Sequence, residues 1–168
     1  MTGRWRGRGA ALVLVIALAA VPVAAGVDAG AGDRRVLVVS DPGGRTLARV
    51  PLCDDAAFTL RYRNSVYGTL AEERFVVADD GGFELRELAA EQLAVLEEYY
   101  GVSEQPMLVA REWWRAPPAY ELELDRLTVA ATDLGRRTLL VAGQPPLLLW
   151  HLVEDAAPSV VIEADPGA

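Results

Sequence analysis

The sequence predicts a mainly β domain, an antiparallel sandwich or a partly open barrel with one short helix. Apolar and polar residues alternate with a period of two in segment after segment, as where Phe58, Leu60 and Tyr62 alternate with Thr59, Arg61 and Arg63. These segments are short and are separated by turn formers such as Asp41-Pro42-Gly43-Gly44 and Asp79-Asp80-Gly81-Gly82. The regularly alternating helices that a parallel sheet needs are missing from the pattern, which argues against an α/β fold.

The chain opens with Arg4, Arg6 and Arg8, then an apolar run from Ala10 to Ala25, with no acidic residue before Asp28. That order is the layout of a secretory signal peptide, with Val23-Ala24-Ala25 or Val27-Asp28-Ala29 offering small residues for cleavage. An uncleaved N-terminal anchor is the alternative, although the run contains Pro22 and falls short of the roughly 20 apolar residues of a spanning helix. Either way the remainder is expected outside the cytoplasm, touching a membrane only through this segment if it is retained. No adjacent arginine pair precedes the run, so nothing points to twin-arginine export. Residues 26–34, rich in Gly, Ala and Asp, read as a flexible tether. Residues 35–168 read as a single β-rich domain.

Val36 to Val39 and Leu47 to Leu52 read as the first strands. Phe58 to Arg63 forms the next, with its arginines pointing away from the core. Glu72 and Arg74 open the strand that runs through Val77, and Phe83 to Leu88 continues the series. Between the central pair of strands lie Ser65 to Ala71, longer than a plain hairpin turn, with Val66 and Leu70 expected to tuck the loop against the domain. Ala89 to Tyr100 breaks the strand rhythm. Its Ala, Glu, Gln and Leu favour helix, Leu93 and Leu96 share a face, and Gly101 can end it, so a short helix is expected to cover an open end or face of the sheet.

Trp113 and Trp114, ahead of Pro117-Pro118, are expected in a loop packed on the domain rather than in a sugar platform. Tyr120, Leu122 and Leu124 alternate with Glu121, Glu123 and Asp125, giving a strand with an acidic outer face. That spacing is not a calcium loop and suits a solvated edge. Arg137 to Ala142, Leu147 to Val153 and Ser159 to Glu163 complete the strands.

All sixteen basic residues are arginine, as a GC-rich coding bias would produce, and twenty-four residues are acidic. Removing residues 1–25 takes away three arginines and no acid, leaving 13 basic residues against 24 acidic ones, a net charge of −11. Such a surface repels phosphate backbones and anionic headgroups, so nucleic acid is excluded as a partner. Cys53 stands alone and is expected to be a buried thiol acting as a small hydrophobe. Nothing calls for a cofactor. A single histidine, His151, sits inside an expected strand beside Trp150. It has no second histidine with which to hold zinc, and a catalytic Cys53–His151 pair is disfavoured.

The chemistry gathers at the central hairpin. Strands of a hairpin run antiparallel, so Arg63 and Asn64 entering the loop are expected near Glu72 leaving it. Arg61, Arg63, Asn64, Ser65, Thr69 and Glu72 are therefore the candidate binding residues: guanidinium, amide, hydroxyl and carboxylate on a rigid scaffold. The bland reading of the same residues is a solvated Arg–Glu pair worth about 0 to 1 kcal/mol.

Over this stretch the pattern Phe58-x-Leu60-x-Tyr62-x-x-Ser65-Val66, then Thr69, then Glu72 to Phe75, resembles the bacterial family catalogued as domain of unknown function 1850. Members are small exported proteins often encoded beside membrane subunits of tripartite (TRAP-type) solute transporters of the TAXI branch. The resemblance implies an envelope protein whose partner is a membrane transporter or a small anionic solute. Where that family has His before the Ser-Val pair, this chain has Asn64, which can hydrogen-bond but cannot titrate near neutrality. Of the family's later Ser-x-Gly-x-Gly-Leu-Pro stretch, only Gly101 and Pro106 find counterparts.

The expectation is a non-enzymatic extracytoplasmic accessory or binding protein linked to solute transport. The alternatives are a structural cell-envelope adaptor and, less favoured, a small hydrolase using Ser65 or Glu72. Ser65 lacks the Gly-x-Ser-x-Gly setting of a nucleophile elbow.

Overall fold

The computed structural model describes residues 35–102, 106–109 and 113–165. The signal-peptide and tether readings, residues 1–34, lie outside them. The described residues form a mainly antiparallel β fold of two sheets that do not close into a barrel. Among these residues no helix is long and apolar enough to cross a membrane.

The strands are β1 (Val36–Ser40), β2 (Thr46–Pro51), β3 (Ala57–Arg63), β4 (Leu70–Val77), β5 (Phe83–Ala90), β6 (Met107–Val109), β7 (Trp113–Ala116), β8 (Glu123–Leu124), β9 (Leu127–Ala130), β10 (Thr138–Leu140), β11 (Leu147–Leu148) and β12 (Ser159–Asp165). The smaller sheet has the order β2-β1-β12-β9, and the larger has β11-β10-β3-β4-β5-β7-β6 with β8 paired to β5.

The alternation read from the sequence selects the buried faces. Leu37 and Val39, Val160 and Ile162, and Leu127 and Val129 are buried at every second position of the small sheet. They meet Phe58, Leu60, Phe75, Val77 and Phe83 of the large one. Phe58 stands directly opposite Phe75, their rings stacked at 5.3 Å between centroids, while Phe83 meets Phe58 edge-on at 5.2 Å. Such ring pairs add about 0.5 to 1.5 kcal/mol each beyond the area they bury.

A second cluster, Tyr62, Ala71, Leu88, Ala90, Val95, Leu96, Val102 and Ala116, lies toward the other end of the large sheet. There a single helical turn, Val95–Tyr99, covers the inner face. Gly101 at φ +64° lets the Val102 amide fold back to donate to the Leu96 carbonyl at 3.0 Å, which ends the turn. This turn is shorter than the expected helix from Ala89. Ala89 and Ala90 instead continue β5, because pairing with Glu72 and Ala71 on one side and Arg115 and Trp114 on the other outweighs alanine's helix preference.

Strand β5 holds the irregularity that shapes the outer face. Arg74 pairs with Glu87 but the next residue, Phe75, pairs with Leu85, so Arg86 is an extra residue in a β-bulge. Without it, the parity that buries Phe83 would turn Glu87 inward. With it, Leu88 and Ala90 face the core and Glu87 faces solvent.

Several expectations give way to packing. Trp113 and Trp114 lie in β7, not in a loop, since aromatic residues suit a half-buried strand and Pro117-Pro118 end it rather than prevent it. The strand expected over Tyr120 to Asp125 reduces to Glu123–Leu124. Leu147 to Val153 is strand only at Leu147–Leu148. A 3-10 turn, Leu149–His151, then places Leu149 and Leu152 three apart against the main core, and His151 is exposed. Cys53 is exposed because its neighbour Leu52 takes the buried position, and its thiol donates to the Ala142 carbonyl at 3.0 Å.

Candidate functional site

Antiparallel register brings charges together on the outer face of the large sheet. Arg61 of β3 lies opposite Glu72 of β4, which lies opposite Ala89 of β5, which lies opposite Arg115 of β7. The adjoining row runs Leu140, Thr59, Arg74 and Glu87. Each of these positions follows from the period of two, corrected by the bulge.

Two ion pairs hold this array. Arg61 Nε donates to Glu72 Oε1 at 2.7 Å and Arg61 Nη2 lies 2.6 Å from the same oxygen. Arg115 Nη1 donates to Glu87 Oε1 at 3.0 Å, a diagonal contact, while Arg115 Nε is buried without a hydrogen-bond partner. Arg74, between the pairs, is exposed and carries no ion pair or hydrogen bond from its side chain among the described residues.

Beside Arg74 the face sinks into an open cleft of about 210 Å³, lined by Thr59, Glu72, Arg74, Glu87 and Arg115 together with Asp55. Its floor can be low because Ala57 and Ala89, rather than longer side chains, occupy outward positions there. Guanidinium groups match carboxylates and other planar oxyanions in geometry, so an Arg74 side chain left unpaired in this cleft is chemically suited to meet such a group.

Of the residues expected at the hairpin, Arg61 and Glu72 join this face. The others serve the loop. That loop is Asn64 to Thr69, one residue earlier at its start and two at its end than the sequence suggests. Asn64 is 3% exposed, and its Oδ1 accepts from the amides of Val66 at 2.9 Å and Tyr67 at 3.1 Å. Its own amide donates to the Thr69 carbonyl at 2.8 Å. Asn64 therefore builds the turn and is closed to a ligand. Arg63 Nη1 donates to the Gly68 carbonyl at 3.2 Å, Ser65 is exposed, and Thr69 Oγ1 is buried without a partner. Val66 does not tuck in: it is 77% exposed, and Tyr67 packs on the second cluster instead.

Sequence reasoning misses four charged residues of the cleft, Asp55, Arg74, Glu87 and Arg115, and places Arg74 only in the strand, not among the binding residues. Glu87 is legible in principle, since Leu85 and Leu88 are three apart in an otherwise period-two strand, the spacing a bulge leaves. Arg115 stays hidden as long as the tryptophan pair reads as a loop.

A separate polar chain lies on the inner face. Glu73 points inward between Leu60 and Leu88 in register, and its Oε1 accepts from the Tyr100 hydroxyl at 2.6 Å. Tyr100 has one proton to give, so Tyr62, at 2.6 Å from it, is the donor in their contact. Burial pushes the Tyr62 phenol up to about 12, and burial with the Glu73 charge raises Tyr100 further. The Arg137 guanidinium lies 5.0 Å from the Tyr62 ring centroid. These groups tie the Val95–Tyr99 turn to the sheet.

Compared with family models, curated proteins and solved structures, the chain finds no match.

Proposed function

We propose that this chain is a non-enzymatic extracytoplasmic binding domain that serves solute transport and holds a small anion on the outer face of its large sheet. One observation carries the reading: Arg74, without an ion pair or side-chain hydrogen bond among the described residues, lines a cleft together with Arg115. The arginine-led apolar leader supports the compartment, and the resemblance of Phe58 to Phe75 to domain of unknown function 1850 supports the link to TRAP-type transport. The test is a thermal-shift titration of the purified full chain with acetate and succinate against chloride at equal ionic strength. A saturable rise in Tm, lost in Arg74→Ala, is expected, because a ligand that binds only the folded state raises its stability. No rise with any carboxylate overturns the reading.

The structural-adaptor reading is favoured by a different feature. Edge strand β6 exposes Met107, Leu108 and Val109, at 70%, 59% and 38%, a pattern open to strand addition by another protein. Leu108→Lys would abolish partner capture in that case and leave carboxylate binding intact.

A further inference from the structure

We infer that the outer-face cleft takes a small zwitterion, an α-amino acid, rather than a simple anion. This deepens the anion-binding reading and rests on it. The charges that line the cleft divide into those already neutralised and those that are not. Glu72 is held by Arg61 and Glu87 by Arg115. Two charges remain, Arg74 and Asp55, and neither forms an ion pair with the other or with any described residue. Asp55 is engaged only by the Ala57 amide, at a long 3.4 Å.

A ligand with a carboxylate alone would satisfy Arg74 but would meet the Asp55 charge as a like charge. A ligand with an amine alone would do the reverse. A molecule carrying both groups answers both charges, with its carboxylate on Arg74 and its ammonium toward Asp55. At about 210 Å³, the cleft has room for a small amino acid. Ala57, Leu140 and Ala142 on the lining leave room for a small side chain and offer it no charge.

The experiment is isothermal titration of the full chain at pH 7 with L-alanine, propionate and ethylamine, which carry both groups, the carboxylate only and the amine only. Alanine is expected to bind about tenfold or more tightly than propionate, since a charge-assisted contact is at stake, and ethylamine is expected not to bind. Asp55→Asn, which keeps size and an acceptor oxygen, lowers alanine affinity about tenfold and leaves propionate unchanged or tighter. Arg74→Gln abolishes both, with circular dichroism confirming an unchanged fold. If propionate binds as tightly as alanine and Asp55→Asn has no effect on either, the zwitterion inference is overturned while the anion reading stands. If neither binds, both fall.

Discussion

Arg74 and Glu87 stand directly opposite each other across β4 and β5, yet Glu87 pairs with Arg115 on the diagonal, leaving Arg74 without a counterion among the described residues. Glu87 thus keeps one arginine engaged while the other stays open. Replacing it by Gln removes a negative charge from the cleft and frees the Arg115 guanidinium. Acetate affinity is expected to rise about threefold to tenfold, as loss of one nearby repulsive charge at a partly solvated site predicts. Stability should change by only about 1 kcal/mol, because the pair is partly solvated. Calorimetric titration and urea unfolding check the two parts separately.

The Arg61–Glu72 pair should behave as a surface pair despite its short contacts. A double-mutant cycle with Arg61→Ala and Glu72→Ala is expected to give a coupling energy of about 0.2 to 1 kcal/mol. A coupling well above this range would mean that the face is covered in solution.

Asn64 and Ser65 are neighbours with opposite roles. Asn64→Ala strands the amides of Val66 and Tyr67 beside a buried site and is expected to cost about 1 to 3 kcal/mol. Ser65→Ala, at an exposed position, should stay within about 0.5 kcal/mol. Chemical denaturation of both variants makes the comparison.

Gly68 carries the loop through φ +68°, and no atom lies within 4 Å of the point a Cβ would occupy, so only backbone strain opposes a side chain there. Gly68→Ala is expected to lower stability by about 1 to 2 kcal/mol. Gly68→Asn should lose less, since Asn tolerates this region better, and the difference in urea midpoint reads it directly.

Tyr62 and Tyr100 make the fold sensitive to alkali. Their folded-state values lie above the ordinary 10.0, so the folded chain binds these protons more tightly than the unfolded one. The Tyr62 contribution is therefore complete below pH 10 and is lost as pH rises through about 12, while that of Tyr100 is lost only at still higher pH. Loss of far-ultraviolet ellipticity should begin above pH 10 and accompany late tyrosinate absorbance. Tyr100→Phe, which leaves Glu73 and Tyr62 unpartnered, should cost about 1 to 3 kcal/mol at pH 7.

By itself, the sequence determined the fold class and most of the strands, because a sheet with one buried face imposes a two-residue period that survives without knowledge of any partner. Phe58, Leu60 and Tyr62 show it, whereas the strand of Leu127 and Val129 escapes the sequence reading, which places a strand over Tyr120 to Asp125 instead. The arginines of β3 point outward for the same reason. What only the tertiary structure decided is which outward charges meet. Arg115 reaches Glu87 from a strand 28 positions away, and Asp55 comes to the same cleft from a turn before β3. Nothing in the local pattern of either segment carries that contact. The bulge at Arg86 sets it, by inverting the faces of β5 midway, and strand order sets the rest. Asn64 shows the same limit in reverse: its polarity marks it for a site, but hydrogen bonds to its own loop turn the side chain inward, since a tight turn must satisfy its amides before it can offer anything to a ligand.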